Sequence, residues 1–99
     1  MEYRLEIYRP GSCDRVGSIK VFSTAAPFLP IRVGDLLNTR TWDKELEWPL
    51  LRVLNIEHLI SETSSGGIDP SGTITHQVSV YTESVADNAE TRCKSPWKV

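Results

Sequence analysis

Along the first nine residues Tyr3, Leu5 and Ile7 alternate with Glu2, Arg4 and Glu6, the period-two signature of a strand with one face in a core. Pro10-Gly11-Ser12 then supplies turn chemistry, and Gly17 to Thr24 reads as the antiparallel partner. Pairing Ile7 with Ile19 and Leu5 with Val21 keeps one apolar face continuous. That register sends Phe22 to the outer face unless a bulge intervenes. Ala25 to Val33 carries Pro27 and Pro30 and cannot be a central strand. It is expected to cross the molecule as a loop, with Phe28, Leu29 and Ile31 plugging one end of the core. Gly34-Asp35 signals a turn, Leu36 to Thr39 a short strand, and the charged stretch Thr41 to Pro49 a loop.

Leu50 to Ser61 is the longest apolar segment, and its alternation changes phase near Val53 and Leu54. A β-bulge or sharp bend is expected there, letting one strand serve two sides of a barrel. Glu62 to Gly72 reads as a long mobile hairpin loop, and Thr73 to Glu83 as the final strand. Setting Ile60 opposite Ile74 places His58 opposite His76, Ile56 opposite Val78 and Leu54 opposite Val80. One register thus aligns every apolar residue on one face, with both histidines inside the row. No helix-period pattern of length occurs. The expected fold is all-β: a small antiparallel barrel or strongly rolled sheet, SH3-like, of five to six strands. Residues 1–86 form the expected barrel domain, and 87–99 a polar, poorly ordered C-terminal tail.

Ninety-nine residues suit one domain with a modest core, and 39% hydrophobic with 24% charged residues is ordinary globular composition. The formal charge of −2 and the scattered Lys and Arg argue against binding a nucleic-acid backbone. No apolar run reaches the roughly 18 residues that span a bilayer. Met1-Glu2-Tyr3-Arg4 has no signal-peptide core, so a cytoplasmic location is expected, with Cys13 and Cys93 as free thiols. Serine-hydrolase, P-loop, zincin, paired-cysteine zinc and Rossmann signatures are all absent, so neither catalysis nor a cofactor is expected.

Candidate chemistry centres on His58 and His76. Cross-strand neighbours have Cβ atoms about 4.5–5.5 Å apart, near enough for two imidazoles to meet. Three readings follow: a hydrogen-bonded structural pair, a small-ligand or partner site, or two ligands of a metal ion. The metal reading needs further donors, and Glu57, on the opposite face of the strand, is a poor one. Protonating both rings sets like charges side by side, so stability should fall near or below about pH 6. Arg32 and Arg40 are candidates for a small anion-binding patch, and Asp35 reads as a turn residue. Trp42 and Trp48 read as core lids; Asp43, Glu45 and Glu47 as a solvated acidic loop. Phe22, Leu59, Tyr81 and Trp97 are candidate interface residues, because interfaces concentrate aromatic side chains. In the expected register Leu59 falls near Thr75 and Tyr81 near Val53.

The runs Pro30-Ile31-Arg32-Val33-Gly34-Asp35, then Val53-Leu54-Asn55-Ile56-Glu57-His58-Leu59-Ile60, then His76-Gln77-Val78-Ser79-Val80-Tyr81 form a layout. It resembles that of short bacterial proteins from phage and mobile gene-cassette settings. The resemblance covers residues 28–82 and implies a compact SH3-like barrel, with no catalytic residues to carry over. Together these features lead to an expected non-catalytic binding or adaptor module, homo-oligomeric, with a small-molecule or protein partner. The alternatives are a metal- or small-ligand-binding protein or enzyme using His58 and His76, and a nucleic-acid-binding barrel.

Overall fold

The structure, a computed structural model, describes residues 2–12, 17–65 and 69–93. Five strands, β1 (Glu2–Tyr8), β2 (Ser18–Thr24), β3 (Leu36–Asn38), β4 (Leu50–Ser65) and β5 (Asp69–Ser84), form one sheet in the order β2-β1-β5-β4-β3. A 3₁₀ turn at Thr39–Thr41 and a short helix, α1 (Ala89–Cys93), complete the described elements. The fold is all-β, a curled half-barrel. Its edge strands β2 and β3 do not pair with each other, so the sheet is rolled rather than closed.

Three of the four strand pairs are antiparallel, but β1 lies parallel to β5, with Leu5 beside Val78 and Ile7 beside Val80. This departs from the all-antiparallel expectation. It inserts β1 between its hairpin partner and the last strand, which covers it from both sides. Leu5, Ile7, Leu51, Val53 and Val80 accordingly form the buried core, 0–7% exposed. Each such side chain contributes roughly 1.5–3 kcal/mol by leaving water. Ile19, Phe22, Phe28, Ile31, Leu37, Trp42 and Trp48 close around them, so both tryptophans of the charged loop are lids as expected.

The first hairpin is shifted by one residue from the expected register. Leu5 pairs with Phe22 and Ile7 with Lys20, and a bulge then brings Tyr8 opposite Ser18. The extra residue is Ile19, which still packs on the core. Phe22 therefore shares the inward face, its ring 6.1 Å from that of Trp42 and edge-on to it. Val21 takes the outward place and is 39% exposed.

Gly34 and Asp35 turn the chain into β3, as the sequence predicts. Gly34 has φ of 96°, a region L side chains rarely adopt, and its amide donates to the Val53 carbonyl at 2.8 Å. Asp35 Oδ2 accepts the Arg32 amide at 2.7 Å. At the far end of β3 the buried Thr39 donates its hydroxyl to the Trp48 carbonyl at 2.7 Å and its amide to Pro49, holding the charged loop shut. The tail is not structureless where it is described. Asp87 bridges to Arg92 of α1 and, at 3.5 Å, to Arg40, while Asn88 Oδ1 accepts the Thr91 amide.

The expected long loop at 62–72 is much shorter, because β4 runs on to Ser65 and β5 begins at Asp69. At about 3.3 Å per residue a 16-residue strand spans some 50 Å, which accounts for the molecule's 56 Å length. The radius of gyration, 16.1 Å, exceeds the roughly 13 Å of a compact domain this size. The β4–β5 ribbon projects beyond the sheet.

Candidate functional site

His58 of β4 and His76 of β5 meet, although the register expected to bring them together does not occur. Ile60 pairs with His76, His58 with Val78 and Ile56 with Val80, a slide of two residues. A two-residue slide preserves the face each side chain points to, because strand side chains alternate with period two. The histidines are therefore diagonal neighbours on one face, and long side chains reach across a diagonal. His58 Nδ1 and His76 Nε2 lie 2.9 Å apart, with ring centroids at 5.1 Å and planes inclined by 33°. One ring nitrogen donates and the other accepts.

The slide shrinks from two residues to one at the predicted bulge. Val53 pairs with Thr82 and Asn55 with Tyr81, so Leu54 is the extra residue, 47% exposed instead of opposite Val80. The Asn55 side chain accepts the Ile56 amide there at 2.9 Å. Below the bulge Leu51 and Val53 face the core, and above it Ile56 and His58 face the same concave side.

That concave side holds a cleft of about 270 Å³. Its floor is Tyr3 and Leu5 of β1, Ile56 of β4 and Val78 of β5; the crossing loop, residues 27–31, forms its opposite wall. The lining is apolar except at the end where His58 and His76 stand, with the Tyr3 ring 6.1 Å from His76. Pro27 and Pro30 fix φ and offer no amide donor, so this wall is stiff. Phe28 and Ile31 pack on the core as expected of a plug, but Leu29 does not: it lines the cleft's rim at 88% exposure. The cleft escaped the sequence because its floor reads as ordinary strand core. The only signals were two prolines beside exposed apolar residues and two histidines in an apolar row.

The remaining candidates are dispersed. Arg32 lies exposed on the crossing loop and takes part in the Asp35 turn through its amide, whereas Arg40 sits on the 3₁₀ turn against Asp87. The structure gives them separate partners. Phe22 is a core aromatic and not an outer-face contact; the Lys20 Nζ lies 5.2 Å over its ring. Leu59 pairs with Gln77, not Thr75, and Tyr81 with Asn55, not Val53. Both stay on the convex face, half-buried. Tyr81 stacks on Tyr8 at 5.1 Å and donates its hydroxyl to Glu57 Oε1 at 3.0 Å. Trp97 and Cys13 lie outside the described residues, and Cys93 is exposed as a free thiol. Among the described residues no three His, Cys, Asp or Glu side chains converge on a point that could hold a metal ion, and no helix is long and apolar enough to cross a membrane.

No protein-family model matches the chain, and neither curated proteins nor solved structures provide a match.

Proposed function

We propose that this protein is a non-catalytic binding module whose concave cleft takes a small, mainly apolar molecule. The supporting observation is the cleft itself: about 270 Å³ of apolar lining under a proline-stiffened wall, with one hydrogen-bonding pair, His58 and His76, at its end. Ligand sites have this composition, apolar walls and a few placed polar groups. At about 270 Å³ the cleft lies just below the roughly 300–1,000 Å³ of sites for drug-sized ligands, so it suits a small molecule. 1-Octanol is a suitable probe. It should shift the NMR signals of Leu5, Ile56, Val78 and Phe28, and Val78→Phe should block it by filling the floor. Octanol that leaves these signals unmoved refutes the reading.

The module also pairs with a second copy of itself through β4. The short β3 covers only Leu50 to Arg52, so the edge from Asn55 to Ser65 has no strand beside it among the described residues. Ile60 on this ribbon is 72% exposed. Antiparallel pairing of two such edges about Ile60 sets Ile60 against Ile60 and His58 against Glu62 of the second copy, an apolar contact flanked by two opposite-charge contacts when His58 is protonated. Sedimentation should give about twice the 11.1 kDa chain mass, and Ile60→Lys should give the single chain. A wild-type monomer at high concentration rules this pairing out.

A further inference from the structure

We infer that His58 and His76 form a two-coordinate site for a monovalent closed-shell metal ion, Cu(I) or its analogue Ag(I), held in line between the two imidazoles. The inference goes beyond the cleft reading and does not depend on it. Its basis is the way the rings face each other. His58 Nδ1 and His76 Nε2 lie 2.9 Å apart, while the ring centroids stand 5.1 Å apart. On so short a contact the centroids can hardly be farther apart. Each nitrogen therefore directs its in-plane lone-pair axis at the other.

Donors placed head to head suit few metal ions. Zinc takes four ligands at tetrahedral angles, so two imidazoles must approach it obliquely and two more donors must join them. Among the described residues no third His, Cys, Asp or Glu joins this pair. Square-planar and octahedral ions ask for as many ligands or more. Cu(I) and Ag(I) have filled d shells and are satisfied by two donors on opposite sides. Imidazole is a ligand that copper accepts. The single charge also fits the surroundings, because no carboxylate lines the adjoining cleft. Desolvation cost grows with the square of the charge, so a monovalent ion is taken from water far more easily than a divalent one.

Two adjustments admit the ion. Each neutral imidazole carries one proton. Placing it on the outer nitrogen, His58 Nε2 or His76 Nδ1, leaves both inner nitrogens as donors with no net change in protonation. Metal–imidazole bonds of about 2.0 Å then set the inner nitrogens about 4 Å apart, roughly 1 Å more than in the hydrogen-bonded pair. His58 is exposed, on the stretch of β4 beyond β3, so its ring has room to withdraw by that much. The rings meet diagonally across two strands, so side-chain torsions open the contact and the ladder stays as it is.

Ag(I) in chloride-free buffer is the probe, at about pH 7.5, where unperturbed imidazole is neutral. Thiols take the same ion and Cys93 is an exposed one, so the titrated chain carries Cys13→Ser and Cys93→Ser. Calorimetry should show one silver ion per chain. Nitrogen NMR should identify His58 Nδ1 and His76 Nε2 as the bound atoms, with the protons on the two outer nitrogens. Zn(II) at the same concentration should leave both rings unmoved. His58→Gln and, separately, His76→Gln should abolish the silver uptake. Should the serine variant fail to fold, the same spectra on the wild-type chain, with silver in excess of its thiols, give the nitrogen assignment directly. Silver on the outer nitrogens, uptake unchanged in the glutamine variants, equal binding of Zn(II), or rings that silver does not move would each overturn the linear site. None of these outcomes alters the octanol test of the cleft.

Discussion

At the scale of single residues the histidine pair is held by reach rather than by register. His58 and His76 keep their contact because a slide of two residues moves neither to the other face. Their N···N hydrogen bond needs an acceptor nitrogen, and a pair with both rings fully protonated has none. His76→Ala removes one partner of that bond and should cost about 1 kcal/mol in denaturant unfolding, the net worth of a single hydrogen bond. An unchanged unfolding midpoint would show that the contact contributes nothing to stability.

Among the elements, β4 decides most of the architecture, and its bulge makes the sharpest test. Leu51 and Leu54 are equally apolar in sequence, yet Leu51 is 0% and Leu54 47% exposed. Leu51→Ala should cost about 2–5 kcal/mol in denaturant unfolding, the range for a buried leucine that leaves a cavity. Leu54→Ala should stay within about 0.5 kcal/mol, as at an ordinary surface position. Comparable losses for both would mean that Leu54 faces the core and that the bulge lies elsewhere. The bulge itself was legible, because apolar parity switches between Val53 and Leu54. The residue it extrudes was not, since a parity switch marks a step in the ladder without choosing which side chain leaves it. The first hairpin behaves alike: its existence follows from alternation, whereas the bulge at Ile19 reversed the places of Val21 and Phe22.

For the whole molecule, the rolled sheet leaves open what a closed barrel would hide. β2 and β3 stay at the edges, and the β4–β5 ribbon extends well past β1 and β3. An isolated two-stranded ribbon is only marginally stable in water, so pairing its β4 edge with a second copy would steady it. That association would extend the sheet in its own plane and leave the concave cleft accessible. The proposed dimer and the proposed ligand site are thus separately testable: Ile60→Lys should yield a monomer that still shows the octanol-induced shifts at Ile56 and Val78.

The sequence alone determined the local matters: where the five strands lie, though not how far β4 and β5 run, where Pro27, Pro30 and Gly34 interrupt them, that β4 must bend, and that both histidines belong to an apolar face. These follow from short-range rules, since side-chain parity and backbone freedom act over two or three residues. The tertiary structure alone decided the register of both hairpins, the parallel placement of β1 against β5, and the cleft between the crossing loop and the sheet. Each of these is a choice among arrangements with the same local pattern. A slide by two keeps every residue on its face, and a strand buried on both sides accepts a neighbour running either way. Only the packing of distant segments separates such arrangements in energy.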